Sequence, residues 1–389
     1  MSLVPPFDAL FSDAEIQALQ ALRKTHNRIH PLVSVALHPG QHQTPRQVSI
    51  NTARSLQYVL SEFPQWLQEL KPRLIDAKDW TASESALAEI RACGALLEAG
   101  YSLRLGTRNT SSGAKPEFHV MVGNDETIVE VWTRNLGNSQ LAQIQGQHKA
   151  TSSTTVVNGG TLTSSVATVA PFGAPNPLKK GDSVLTNAIS KIAAIKEREH
   201  QATDLRPFVI WVDLQSETTM MFEYDDHLTP LMSWNGIVAS GAYWHALYGR
   251  KGDILLESDR PYNRTNVMLH DGRYYQTMKH GGPTRISAFL ISSTKTTAVM
   301  ENPFGQYSLT PAFRKNLLEL PFFDISVSLA NWSGRLVQKT VERQREFIVG
   351  VVATLGLAPD SKPSWYSKAM LLMSDWLDAV SRRLRSLSS

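Results

Sequence analysis

Two glutamates carry the clearest chemical signal in the chain. Glu117 immediately precedes the apolar segment Phe118-His-Val-Met-Val122, and Glu130 lies within a second, Ile128-Val-Glu-Val-Trp132. Both segments read as strands, and the tight connection Gly123-Asn-Asp-Glu126 predicts a hairpin between them. With Asn124-Asp125 as a two-residue loop, Gly123 faces Glu126, His119 lies opposite Glu130, and Glu117 lies opposite Trp132. Opposed residues share a face, as do residues two apart on one strand. Glu117, His119, Glu130 and Trp132 therefore point the same way, and the two glutamates become diagonal neighbours roughly 5.5–8 Å apart. A one-residue slip would put them on opposite faces. Two carboxylates at that range can share one divalent cation, and oxygen ligands suit Mg²⁺. Burying two acids on one apolar face is costly without a partner. A bound metal is one solution and a sheet edge open to water is the other. His119 gains no role from this pattern.

The surrounding elements must hold that hairpin. Thr81-Ala-Ser83-Glu84 supplies cap residues for a helix whose stripe runs through Ala86, Leu87, Ile90, Cys93, Leu96 and Leu97 and stops at Gly100. Tyr101 to Leu105 alternates like a strand. After the hairpin, residues 138–181 turn to Ser, Thr, Gly, Asn and Gln, which reads as a surface loop insertion. A helix from Asp182-Ser183 buries Leu185, Ala188, Ile189, Ile192 and Ile195, and the apolar strand Pro207 to Asp213 follows. The order is helix, three strands, helix, strand. Upstream, helices are predicted over Ala14 to Arg23 and Asn51 to Leu60, with breaks at His30-Pro31 and His38-Pro39-Gly40. Downstream, 234–248 and 287–291 are mixed without a clear motif, and helices are predicted at 311–318, 333–353 and 364–384.

Composition bounds the rest. The 389 residues are 42% hydrophobic and 19% charged with a net charge of +4, enough apolar material for a real core. The single cysteine, Cys93, excludes a disulfide scaffold and a Cys-rich zinc module, and its place on the apolar stripe reads as a buried structural thiol. His26, His30, His38 and His42 lack carboxylate or cysteine partners at ligand spacing and read as surface or capping histidines. Glu98, near the helix end, reads as exposed. No targeting segment is visible, and the longest apolar run, Phe347 to Ala358, is too short to span a bilayer. A cytoplasmic protein without a membrane partner is expected. Dinucleotide-binding, P-loop and serine-elbow motifs are absent.

In this order of elements, with Pro116-Glu117 at the hairpin and Glu130-Val-Trp132 on its second strand, residues 80 to 215 resemble the core of the PD-(D/E)XK, or restriction-endonuclease-like, nucleases. The resemblance implies an α/β fold: a restriction-endonuclease-like core, meaning a mixed central sheet flanked by helices, with a helical N-terminal extension and an α+β C-terminal region. The corresponding domains are 1–78, 79–230 with the insertion at 138–181, and 231–389. It also implies catalytic roles for Glu117 and Glu130 as ligands of Mg²⁺ or Mn²⁺, and for Glu89 as the helix acid at a second ion or an orienting water. The family's lysine two residues after the second acid is here Trp132. Lys191 and Lys196 on the following helix are the candidates to replace it, and Arg134 is a weaker one. The implied activity is metal-dependent phosphodiester hydrolysis of nucleic acid, expected to be DNA, in defence or DNA processing. Phosphate contacts require basic residues; the candidates are Arg104, Arg108, Lys115, Arg134 and the loop pair Lys179-Lys180, of which Arg108 and Lys115 flank the site. The alternatives are a catalytically degenerate member that binds nucleic acid or a protein partner, homo-oligomers included, and an unrelated soluble α/β protein.

Overall fold

The computed structural model describes residues 3–23, 29–37, 47–106, 118–133, 151–157, 160–166, 206–215, 228, 231–234, 237–251, 253–255, 266–267, 271–294, 296–321, 323, 342, 343 and 346. Helices lead the chain. The first, α1 (Asp13–Ala21), opens with a capping box in which Ser12 and Glu15 each bond the other's backbone N–H. The second, α2 (Pro31–Ala36), begins where the sequence predicts a break. Proline lacks an N–H that the first helical turn does not need, so it starts a helix as readily as it ends one. His30 caps it, with Nδ1 accepting from Leu32 N–H. His30 is buried, which makes it a capping group. His26, His38 and His42 lie outside the described residues.

The next two helices, α3 (Gln47–Glu62) and α4 (Pro64–Leu74), extend beyond the expected 51–60. The longest, α5 (Trp80–Glu98), is capped by Asp79, whose carboxylate accepts from Thr81 N–H and Ala82 N–H. Three strands follow: β1 (Ser102–Leu105), β2 (Phe118–Val122) and β3 (Asp125–Thr133). The expected loop insertion holds a hairpin of its own, β4 (Thr151–Val157) with β5 (Gly160–Val166). Asn158-Gly159 separates them in sequence, the residue pair that a two-residue hairpin loop favours.

The remaining elements are β6 (Phe208–Asp213), β7 (Met232–Trp234), β8 (Ile237–Ser240), α6 (Ala242–Tyr248), β9 (Ile254–Leu255), β10 (Asn266–Val267), α7 (Arg273–Gly281), β11 (Ile286–Ser292), β12 (Thr297–Glu301) and α8 (Pro311–Leu317). The helix at 311–318 is thus present. Those expected at 333–353 and 364–384 lie outside the described residues, save for Glu342, Arg343 and Glu346, which are helical. The helix expected after Asp182 also lies outside them.

The protein is mixed α/β. Among the described residues, six strands form one open sheet in the order β1-β2-β3-β6-β11-β12. Its first three strands run antiparallel in sequence order. Strands β3, β6 and β11 are parallel to one another, and β12 closes the row antiparallel to β11. Every residue of β6, β11 and β12 is buried, the pattern of strands covered on both faces. Two strands from beyond residue 230 therefore complete a sheet begun at residue 102. A second described sheet, β10-β9-β8-β7, is small.

Alternation along the strands divides two cores. Phe118, Val120, Val129, Val209, Trp211 and Leu290 join the helical N-terminal part in one cluster. Ile128, Phe208, Ile210, Val212, Phe289 and Ile291 join Trp244, Tyr248 and Tyr274 in the other. Helices α1 to α5 thus seal one face of the sheet, and α6 and α7 cover the other.

Helices α3 and α5 meet at Gly94. A Cβ there would lie 2.3 Å from Ser55 Cα, so only glycine permits this approach. Gly94→Ala is expected to lower stability by about 1–3 kcal/mol, the usual range for overpacking. A urea denaturation midpoint equal to that of wild type would refute the close contact.

Candidate functional site

The hairpin that carries the two glutamates is present, in a register shifted by two residues. Val122 pairs with Asp125, His119 with Ile128 and Phe118 with Val129. The loop residues are therefore Gly123 and Asn124. The cause is local: Gly123 takes φ +61°, which the first position of such a loop requires and which glycine adopts without strain. A shift of two preserves which face each residue uses. His119, Glu130 and Trp132 still share a face, the one that looks toward α6 and α7. Glu130 is half-buried and aligned with Ile210 of β6. Trp132 is half-buried against the second core.

Glu117, Arg108, Lys115, Arg134, Lys191 and Lys196 lie outside the described residues. Glu89 does not join Glu130. It projects from α5, on the opposite side of the sheet. Its carboxylate accepts both arms of Arg73, at 2.7 and 3.0 Å. This corrects its expected place in the site: the helix turns its apolar stripe to the sheet, and Glu89 falls beside α4. Among the described residues, no group of three or more His, Cys, Asp or Glu side chains could hold a metal ion.

His119 has a partner that the expected register hid. Its Nδ1 lies 2.5 Å from Glu126 Oε1, and Arg206 Nη1 lies 2.6 Å from Glu126 Oε2. Glu126, two residues before Ile128 on the same face, is thus held between two bases at the sheet surface. Cys93 is fully buried, and burial pushes its thiol far up, so it stays a neutral core group.

A second polar constellation sits at the carboxyl ends of β6 and β11. Arg91, 3% exposed, reaches from α5 to Asp213, 0% exposed, at the end of β6. Nε and Nη2 each donate to one carboxylate oxygen at 2.9 Å, a bidentate fork. Asp213 Oδ1 also accepts from Gln215 N–H at 3.0 Å. Gln215 Nε2 donates to Ser292 Oγ at 3.1 Å, and its Oε1 accepts from Asn51 Nδ2 at 2.8 Å. Ser292 Oγ lies 3.2 Å from Thr297 Oγ1. This network borders a pocket whose lining includes Arg54 and Glu98. Glu98 pairs with Arg54 and is only 10% exposed, against the exposed position read from the sequence. Helix α3 shields it.

Sequence reasoning passed over Arg91 and Asp213. The signal was present: a charge inside an apolar helical run, and a carboxylate closing an apolar strand. Charges in such places are buried only when paired. The site is also where open α/β sheets commonly bind ligands, outside the carboxyl ends of parallel strands.

Comparison with family models, with curated proteins and with solved structures yields no match to this chain. No helix among the described residues is long and apolar enough to cross a membrane.

Breaking the buried pair should be far costlier than replacing it whole. Arg91→Met or Asp213→Leu alone is expected to cost about 3–5 kcal/mol by leaving one buried charge uncompensated, and the double variant much less than the sum. Chemical denaturation of all four proteins checks this, and additive losses would contradict it.

Proposed function

We propose that the chain is a metal-dependent nuclease of the PD-(D/E)XK type, hydrolysing phosphodiesters of nucleic acid, DNA foremost. One observation carries the reading. Helix α5 leads into an antiparallel three-strand meander, and the next strand of the main sheet, β6, lies parallel to β3. That arrangement supports a restriction-endonuclease-like core, with Glu130 on β3 and Glu117 one residue ahead of β2. Both are carboxylates, which suit hard cations such as Mg²⁺ or Mn²⁺. Bound there, the ion would supply Lewis-acid polarisation of the phosphate and a more acidic water. Glu117 and Glu130 would hold it. Lys191 or Lys196 would supply the positive charge that Trp132 does not, and Arg108, Lys115 and Arg134 would contact phosphates. Glu89, committed to Arg73, has no part in this proposal.

A second reading rests on Trp132 itself. Its ring packs against the apolar core at the position where the family places its lysine, which favours a member that binds nucleic acid or a protein without cutting.

Cleavage assays decide between them. Plasmid and single-stranded DNA are incubated with Mg²⁺ or Mn²⁺ and the wild type, Glu117→Ala or Glu130→Ala. The nuclease reading expects cutting by the wild type and a loss of about 100-fold or more in each variant. No cutting under any condition sinks the enzyme reading, and equal cutting by all three marks a contaminant.

A further inference from the structure

The second face of the main sheet is covered over only part of its width. Strands β6, β11 and β12 turn residues such as Ile210, Phe289 and Met300 into the core beneath α6 and α7. Among the described residues, none from β1 or β2 belongs to that core. Leu103 and Leu105 of β1 pack on the other side, against the helical N-terminal part. The register pairs Ser102 with Met121 and Arg104 with His119, so these four share the second face. Ser102 and Arg104 are exposed, and His119 and Met121 are half-buried. The cover therefore ends at β3. An open strip runs from the sheet edge at β1 to the strand that carries Glu130.

Charge on this strip is left over with one sign. The acid beside it, Glu126, has both carboxylate oxygens engaged, one by His119 Nδ1 and the other by Arg206 Nη1. Arg104 stands on the edge strand, and no carboxylate among the described residues pairs with it. A guanidinium that faces water beside an already neutralised acid is a fork for anionic oxygens. Its place also sets the size of the ligand. Arg104 lies opposite His119, and His119 lies opposite Ile128. Arg104 and Glu130 are thus two strand spacings and two residues apart, roughly 12 Å along the sheet. A single phosphate cannot touch both, and a chain of phosphates can.

We propose that this open strip is the track of the nucleic-acid backbone, and that Arg104 binds a phosphate at a distance from the one held at Glu130. The inference rests on the nucleic-acid reading above and adds the binding surface to it. The contact is electrostatic, so it contributes affinity and register without sequence preference. At roughly 12 Å, Arg104 is a binding residue and does not serve the reacting phosphate. The strip suits a member that cuts and a member that only binds equally well.

Binding of labelled single-stranded and duplex oligonucleotides to the full chain, read by fluorescence anisotropy over a range of salt, tests this with Ca²⁺ and without divalent cation. Arg104→Ala should weaken binding about tenfold at low salt. It should also make the slope of log K against log[salt] shallower by about 0.7–0.9, the signature of one lost phosphate contact. Arg273→Ala removes the same charge from an exposed position on α7. That helix packs Tyr274 on Phe289 of β11, over the covered strands, so its variant should keep wild-type affinity and slope. Both variants should keep the wild-type denaturation midpoint, and a mononucleotide should not compete. If Arg104→Ala binds as the wild type does, or Arg273→Ala loses as much, the track lies elsewhere and only this inference falls. It falls too if a mononucleotide displaces the oligonucleotide, or if heparin binding depends on Arg104 as strongly, which marks a general polyanion surface. Failure of the wild type to bind any oligonucleotide removes the nucleic-acid reading itself, and this inference with it.

Discussion

The buried ion pair between Arg91 and Asp213 holds the molecule in register. Apolar faces alone allow a helix to slide on a sheet, because the hydrophobic effect has no direction. A bidentate fork has one geometry. By joining the middle of α5 to the carboxyl end of β6, it sets where the helix stops along the strands. Asp213 Oδ1 and Gln215 then pass that constraint to α3 through Asn51 and to β11 through Ser292. Four segments distant in sequence are fixed by one chain of hydrogen bonds. Apolar replacements would pack at lower desolvation cost, so the pair contributes alignment more than gross stability.

That alignment decides which residues can cooperate. The side chain of Asp213 lies on the face sealed by α1 to α5, with Val209 and Trp211. Glu130 uses the other face, with Ile128 and Trp132. Alternation along a strand leaves no intermediate choice. Glu89 and Glu130 are consequently separated by the sheet itself, and any acidic site built on β3 must draw its partners from the side of α6 and α7 or from the sheet's rim. His119 and Glu126 meet that condition, and they already engage each other.

Several of these facts were legible in the residues. The three-strand meander, the strand at 207–213 and the helix through Cys93 follow from apolar periodicity. So does the shared face of His119, Glu130 and Trp132, which survived a register error because the error was even. Other features needed tertiary information. Pro31 reads as a breaker and acts as a starter, and the difference lies in what precedes it: His30 supplies the cap. Strands β11 and β12 are buried on both faces and show no alternation, so periodicity cannot separate them from a buried helix. Arg91 hides because a helical stripe is judged by its apolar members. Its partner lies 122 residues away in sequence.

The polar side of β3 poses the remaining chemical question, and charge balance constrains its answer. A developing negative charge at phosphorus requires a nearby cation besides the metal. Trp132 cannot provide one, since its ring is uncharged and packs against the second core. Just ahead of β6, Arg206 is spent on Glu126. In the proposed nuclease, Glu130 would need such a cation from elsewhere, for which Lys191 and Lys196 are the candidates and Arg134 a weaker one. A protein that kept the acids and the fold but lost that delivery would still offer an ordered face to a partner. The two readings of this chain differ by the position of one cation.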